Sequence, residues 1–493
     1  MPFRSSSQNN KSVTGANTKA VFAPITGSDP LGRAEIANFT PRIYTMRSLG
    51  LGGESADQNS EELPRGRAAQ KPQAGIISFQ GAMVAEVPIF GWAGIYQGIM
   101  NDRSPTRAHA IKGTASGALS ATNLNATRQD VTVDVGDGRT GLAKCSRVTL
   151  TIAAATSLTS VTVRLTGTTH TGRTKTKSYK IELTSGAGTL NTKDYWKTIT
   201  SHQLIARAPA TQAIAGTLAI GAITAPTGTL AATTLANVHE SPPVLNPVEL
   251  TFTPTDTSDP LPHHAYIEEG GIPKAARGLY FQGLSFNAVK NTLPAVNLDL
   301  LGLRVAEYEN VAGAAADFTS GKTTLAESSN DFVGVSNTKM TGINVRVIVK
   351  YGDDDEITIP ADSANFSLSN NHTLDETLDL QPYNDGLLPG IRTLSLETSV
   401  RRDRQDEDLI GDYLTGRTFQ SIVELIREDA NDFPHIVRFI QKNSTINYPT
   451  SGVEGPGRLN RNVTISGFAS GGAASDDIEI KTVSSYEFAT LTT

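Results

Sequence analysis

Four short runs, VTVDV (131–135), VTLTI (148–152), VTVRL (161–165) and YKIEL (179–183), alternate apolar and polar side chains without a break. Successive side chains of a strand point to opposite faces, so each run buries one face and wets the other. GDG (136–138), TGTTHTG (166–172) and SGAG (185–188) interrupt the runs with residues that suit tight turns. This pattern predicts antiparallel strands at the spacing of a two-sheet sandwich. The same texture returns in GIISFQGAMVAEV (75–87), VELTFTPTD (248–256), INVRVIVKYGDDDEITIPADSANFSLSNN (343–371) and GIRTLSLETSV (390–400). The chain reads as mainly β. Two short stretches read as helix. In PIFGWAGIYQGIMND (88–102) a proline fits the first turn, and Ile89, Trp92, Ile95, Tyr96 and Ile99 make one apolar packing face. RRDRQDEDLIGDYLTG (401–416) reads as a short charged helix.

At 493 residues the chain is too long for one ordinary core. Residues 1–35 are polar and read as a flexible arm without the apolar core of a signal peptide, so folding in a cytoplasm is expected. The texture changes near 113, and 208–237 is Ala/Thr/Gly/Pro-rich, a linker or extended return path. This divides the chain into 36–112 with 241–308, an inserted β domain at 113–240, a long polar loop at 309–336 and a last β domain at 337–493. SFNAVKNTLPAVNLDL (285–300) and NFSLSNNHTLDETLDL (365–380) agree without gaps at five of sixteen positions: Phe286 with Phe366, Asn291 with Asn371, Leu298 with Leu378, Asp299 with Asp379 and Leu300 with Leu380. Strand, helix and further strands also follow one another in both halves. Two related β domains flanking the insertion are the economical reading.

Net charge is −6, and no cluster of five basic residues exists, which argues against tight nucleic-acid binding. A single cysteine, Cys145, excludes an intrachain disulfide and is expected to be a small buried or indifferent thiol. No apolar run approaches a membrane span. GTTHTGRT (167–174) imitates a phosphate loop, but Arg173 replaces the lysine and alternating strands flank it, so a hairpin turn is expected. SGKTT (320–324) lacks the first glycine. His263 and His264 are adjacent, would point to opposite faces, and are expected to be solvent-exposed. DDDE (353–356) lacks calcium-loop spacing and reads as a turn with solvated carboxylates. Tyr195 and Trp196 read as core. No nucleophile, base and oxyanion hole assemble, so neither an enzyme nor a cofactor is expected.

NPVELTFTPTD (246–256), HHAYIEEGGIPKAARGLYFQGLSFNAVKNTLPAVNLDLLGLRV (263–305), DGLLPGIRTLSLETSVRRDRQDEDLIGDYLTGRTFQSIVELIRED (385–429), FPHIVRFIQK (433–442), RNVTISGFASG (461–471) and IEIKTVSSYEF (478–488) resemble tail tube (major tail) proteins of long-tailed bacteriophages. The early strand–helix stretch fits the same family. The resemblance covers roughly 40–105 and 246–490 and rests on element order and character. It implies two tail-tube-type β-sandwich or barrel domains, each with a short helix, flanking an inserted module that resembles immunoglobulin-like β-sandwiches. It further implies a virion protein, assembled in the host cytoplasm, that stacks as rings into the tail tube. Its partners would be itself, as a trimer imitating a sixfold ring or as a hexamer, the tape-measure protein, tail terminator and baseplate or tip proteins. DNA would pass through an acidic lumen without specific binding, and no membrane is involved. Arg401, Arg402, Asp403, Arg404, Asp406, Glu407 and Asp408 are candidate subunit contacts or a solvated helix face. The alternatives are a virion adhesin or fibre that binds host glycans, and a hydrolase built on His263 or His264.

Overall fold

The computed structural model describes residues 19–25, 42–55, 77–89, 91–214, 216–225, 230, 240–255, 260–269, 272–307, 333–334, 339–375, 386–401, 415–447, 450–452, 460–469 and 477–488. The protein is mainly β. It begins with β1 (Lys19–Pro24), β2 (Arg42–Thr45), β3 (Ser48–Ser55), β4 (Ile77–Glu86), α1 (Ala93–Met100) and β5 (Thr106–His109). Next come β6 (Ala118–Asn123), β7 (Gln129–Asp134), β8 (Ser146–Ala153), β9 (Ser160–Thr168), β10 (Thr174–Glu182), β11 (Gly188–Trp196), β12 (Thr198–Ala208) and β13 (Thr217–Ala222). β14 (Glu240–Phe252), β15 (His263–Glu269), β16 (Ile272–Val289), β17 (Ala295–Glu307) and β18 (Val333–Gly334) follow. The last group is β19 (Val345–Lys350), β20 (Ile357–Ile359), β21 (Ala361–Ser369), β22 (Thr373–Asp375), β23 (Gly386–Leu388), β24 (Thr393–Arg401), β25 (Phe419–Glu428), β26 (Pro434–Ile446), β27 (Thr450–Gly452), β28 (Asn460–Gly467) and β29 (Ile478–Phe488).

The alternating runs of 113–225 form two four-stranded antiparallel sheets, β6-β13-β8-β11 and β7-β12-β9-β10. Their inward residues, among them Val148, Leu150, Ile152, Val161, Val163, Leu165 and Trp196, make a core separate from the rest of the chain. Two sequence expectations change here. Thr217–Ala222, inside the stretch read as a linker, is a strand between β8 and β6. Leu218 and Ile220 fill its inner face, but the Ala219 and Gly221 beside them are not polar, so the Ala/Thr/Gly-rich composition hid the alternation. The strand order also differs from the constant-type immunoglobulin sandwich, whose last two strands are neighbours in one sheet. Here β12 and β13 lie in opposite sheets.

The remaining long strands join in one hydrogen-bonded network, and its pairing pattern occurs twice. In the first half β2 pairs β1, β1 pairs β15, β15 pairs β16, β16 pairs β17, β17 pairs β4 and β4 pairs β3. In the second, β20 pairs β19, β19 pairs β25, β25 pairs β26, β26 pairs β28, β28 pairs β24 and β24 pairs β21. Chain order is the same in both sets. β29 runs beside the first half of β26 as the far half of β17 runs beside β16. Helix α1 follows β4; the charged stretch after β24, expected to be a helix, lies outside the described residues up to Thr415.

The matched segments 285–300 and 365–380 are not the equivalents of one another in this repeat. Residues 283–289 of β16 pair antiparallel with 363–369 of β21, and Phe286 stands opposite Phe366. Their likeness is that of facing neighbours on one sheet. Asn291 and Asn371 both adopt left-handed backbone just beyond the paired stretch, at φ 67° and 49°, a conformation asparagine tolerates. Leu378, Asp379 and Leu380 lie outside the described residues. Likewise, the arm expected at 1–35 contains β1, whose Ala20 and Val21 are fully buried between β2 and β15. Of the 309–336 loop, only β18 is described, in parallel with β2.

One core spans both halves. Phe286 and Phe366 stack at 5.5 Å, and Phe439 packs within 5.2 Å of both rings. Tyr96 of α1 joins Phe439 at 6.0 Å, so the helix closes over this aromatic centre. Of the expected helix face, Ile95, Tyr96 and Ile99 lie in α1, while Ile89 and Trp92 precede it and Pro88 forms a β-bridge with Lys339 instead of opening the first turn; all five face residues are buried. Close approach explains two glycines. A Cβ on Gly98 would lie 2.4 Å from the Phe281 ring, and one on Gly81 2.0 Å from the Gly50 carbonyl. Phe366→Ala empties the centre shared by both halves and should lower stability by about 3–5 kcal/mol. Denaturant titration followed through Trp92, in a Trp196→Phe background, measures that loss; an unchanged midpoint would show that the aromatic centre is not a shared core.

Candidate assembly surface

Edge strands are where a β network this large either stops or recruits another chain. An unpaired edge presents a row of free N–H and C=O groups. Inside the chain one such edge is already joined. β16 passes from β15 along its first half to β21 along its last seven residues, and the two halves meet there edge to edge. The resulting run β3-β4-β17-β16-β21-β24-β28 ends in β3 on one side and in β27 on the other, where the end of β26 also meets β28 before passing on to β25. Among the described residues β3 pairs only with β4, and β27 only with β28. By the repeat, β3 corresponds to β21. The chain following β26 corresponds to the last half of β16. The two open ends of this run are therefore counterparts of the two strands that form the internal joint.

The strand ends carry a second set of features. Beyond Ser369 the chain continues into the two-stranded arm β22–β23, with Leu388 exposed and Ile391 at its root 86% exposed. That root is held firmly. Gln282 donates Nε2–H to the His372 carbonyl at 2.9 Å, and the His372 amide donates back to Gln282 Oε1 at 3.1 Å. Asn370 donates to the carbonyls of Ile99 and Phe281. Arg392 donates to Asn370 and pairs with Asp477 at 2.9 Å. At the other end of β16 and β21 lies a groove of about 300 Å³ between Ala288, Ile343, Val345, Ile359, Pro360 and Ala364. Ile343 stands 66% exposed on its rim.

The sandwich is clamped onto the turn between β25 and β26. The Thr171 amide and hydroxyl both donate to Glu428 Oε1, at 3.0 and 2.8 Å. Arg173 pairs with Glu428 and Asp432. Buried Lys175 pairs with Asp432 at 2.9 Å, donates to the Tyr195 carbonyl, and lies 4.0 Å over the Trp196 ring. Burial pushes the Lys175 ammonium below its ordinary range, and Asp432 opposes that shift. Tyr195 packs on Phe433 at 4.9 Å, with Cys145 buried in the same cluster. Burial drives the Cys145 thiol well above its usual value, so it is inert. On the neighbouring strands Glu424, fully buried, takes Arg346 and Arg438, and Arg438 is held bidentately by Glu356 at 2.7 and 3.1 Å.

GTTHTGRT is a hairpin between β9 and β10, Cys145 is buried, and Tyr195 and Trp196 are packed, all as the sequence implies. His263 and His264 are not exposed. Both are buried at the start of β15, His263 packed 4.9 Å from the Phe281 ring with Nδ1 3.1 Å from the Leu261 carbonyl. The residues around them, LPHHAY, carry no charge that would reveal this, and the deciding neighbours come from β16 and α1. Of DDDE, Asp353, Asp354 and Asp355 are exposed, whereas Glu356 is engaged by Arg438 across the sheet. Arg401 closes β24, and Arg402, Asp403, Arg404, Asp406, Glu407 and Asp408 lie outside the described residues, as does SGKTT. Among the described residues no group of His, Cys, Asp and Glu could hold a metal, and no helix is long and apolar enough to cross a membrane. No family model and no curated protein matches the chain.

Two consequences are measurable. Asp432→Ala leaves Lys175 buried without its carboxylate and should cost about 3–5 kcal/mol. The loss should appear as a lower denaturation midpoint reported by Trp196; an unchanged midpoint would make the clamp dispensable. Burial holds His263 down at about 4, against weaker opposing bonds to the Leu261 and Leu279 backbone. Burial likewise holds His372 at about 4, aided by Arg392. The unfolded chain then binds the extra protons, so stability is full above about pH 6.5 and falls as pH drops toward 4, with His263 contributing up to about 3 kcal/mol. His263→Gln should flatten that slope in acid titrations followed by circular dichroism, and an unaltered slope would contradict its neutral burial.

Proposed function

We propose that this chain is a structural subunit that closes into rings and builds a tube of the phage-tail kind, a conduit for DNA. The observation that carries this reading is the internal joint. Two halves with the same strand order are joined edge to edge by β16 and β21, and the chain leaves the equivalent edges, β3 and β27, with one neighbour each among the described residues. A second copy can supply the missing strand in the same antiparallel sense. Carrying the Phe286–Phe366 register through the repeat puts Ser451 of one copy opposite Leu51 of the next. A head-to-tail contact of this kind closes when the rotation fits a ring. With two equivalent halves per chain, three chains give six near-equal lobes. The tape-measure protein, terminator and tip proteins are the partners such a tube has in its proposed family. Net charge −6 suits a wall along which DNA slides. The sandwich, clamped at one face through Lys175 and Asp432, serves as a decoration fixed in orientation.

Electron microscopy of the purified protein, averaged end-on, tests this directly. Hollow threefold rings with six lobes are expected. Dispersed monomers at high concentration would overturn the reading and favour the adhesin alternative.

A further inference from the structure

Eight large apolar side chains are exposed among the described residues, and seven of them sit at the two ends of the central strands. Val289, Leu293, Ile343 and Ile357 surround the groove end. Leu388, Ile391 and Phe468 stand at the arm end. The paired stretch between them, Gly283–Val289 with Ser363–Ser369, is seven residues long, about 20 Å at the rise of an antiparallel strand. Arm and groove therefore lie at opposite ends of this paired stretch, too far apart to meet within one chain.

We propose that the β22–β23 arm of one copy seats in the groove of a second copy stacked along the strand direction. The contact rests on the ring reading and supplies what ring closure lacks, an axial bond. Three features select a second copy as the occupant. The arm offers apolar Leu388 and Ile391, and the groove offers Ile343 and Ile359 with an apolar floor. Their rims are complementary in charge: exposed Lys290 stands at the groove, where Arg346 is already paired with Glu424 and Asp362 also lines the wall, and Asp375 ends the first arm strand. The arm's root is fixed by Asn370, Gln282 and Arg392, so little ordering entropy opposes docking. Because the two surfaces differ and lie at opposite ends, the contact does not close on itself and extends as a filament. Each contact is small, and repetition around a ring makes it strong.

The test uses the full chain with single cysteines at exposed positions, Ile391→Cys and Ile343→Cys; buried Cys145 stays unreactive. A short bis-maleimide should crosslink the mixture of the two variants into dimers and leave each variant alone uncrosslinked. In parallel, Leu388→Asp with Ile391→Asp should abolish stacking and leave single rings in the microscope. Tubes that persist in the aspartate variant, or stacked rings whose mixed cysteine variants fail to crosslink, would overturn the arm-in-groove contact while leaving ring formation intact. Absence of rings from the unaltered protein would overturn both.

Discussion

Backbone hydrogen bonding at sheet edges governs this molecule. Each half of the large network is a sheet that would end in unpaired N–H and C=O groups, and the chain resolves half of that problem internally by laying β16 against β21. The aromatic centre follows from that joint. Phe286 and Phe366 face each other because their strands pair, Phe439 packs on both, and Tyr96 brings α1 down over them. The separate halves expected from length alone thus share one core. In the proposed assembly the other half of the edge problem is resolved between copies, by the strands equivalent to those of the joint.

The inserted sandwich obeys a different logic. It has its own two sheets and core, and it meets the rest of the molecule through a small polar clamp lined by Cys145, Tyr195 and Phe433. A buried lysine–aspartate pair is weak evidence of net stability, because desolvation consumes most of the attraction. What it sets well is orientation: Lys175 must meet Asp432, the Tyr195 carbonyl and the Trp196 ring at once. In the proposed tube, a decoration held this way keeps one angle to the wall.

Local patterns in the sequence were legible and long-range pairings were not. VTLTI, VTVRL and YKIEL announce their strands because one face is buried and the other wet; the residues around Ile95 and Tyr96 announce a helix by their apolar spacing alone, since α1 is buried almost all round. Thr217–Ala222 escaped because only Leu218 and Ile220 mark its buried face, and the Ala219 and Gly221 that alternate with them are not polar. His263 and His264 escaped because their burial is decided by Phe281 and Leu279, which arrive from another strand. The 285–300 and 365–380 match was real as a pattern, but its meaning was inverted. Strands that face each other across one sheet share an alternation, and alternation cannot distinguish a neighbour from a repeat. The true repeat lies in the order of pairings, and no short sequence match carries it. The open edges are likewise visible only once every partner is counted.

Hydrogen exchange read segment by segment tests the edge account most directly, because the molecule contains its own control. Residues 283–289 and 363–369 are paired within the chain and should be protected whether the protein is dispersed or assembled. The account predicts that 48–55 and 450–452 exchange far faster in the dispersed chain and become protected only on assembly. Assembled particles in which those two strands still exchange as freely as in the dispersed protein would contradict it.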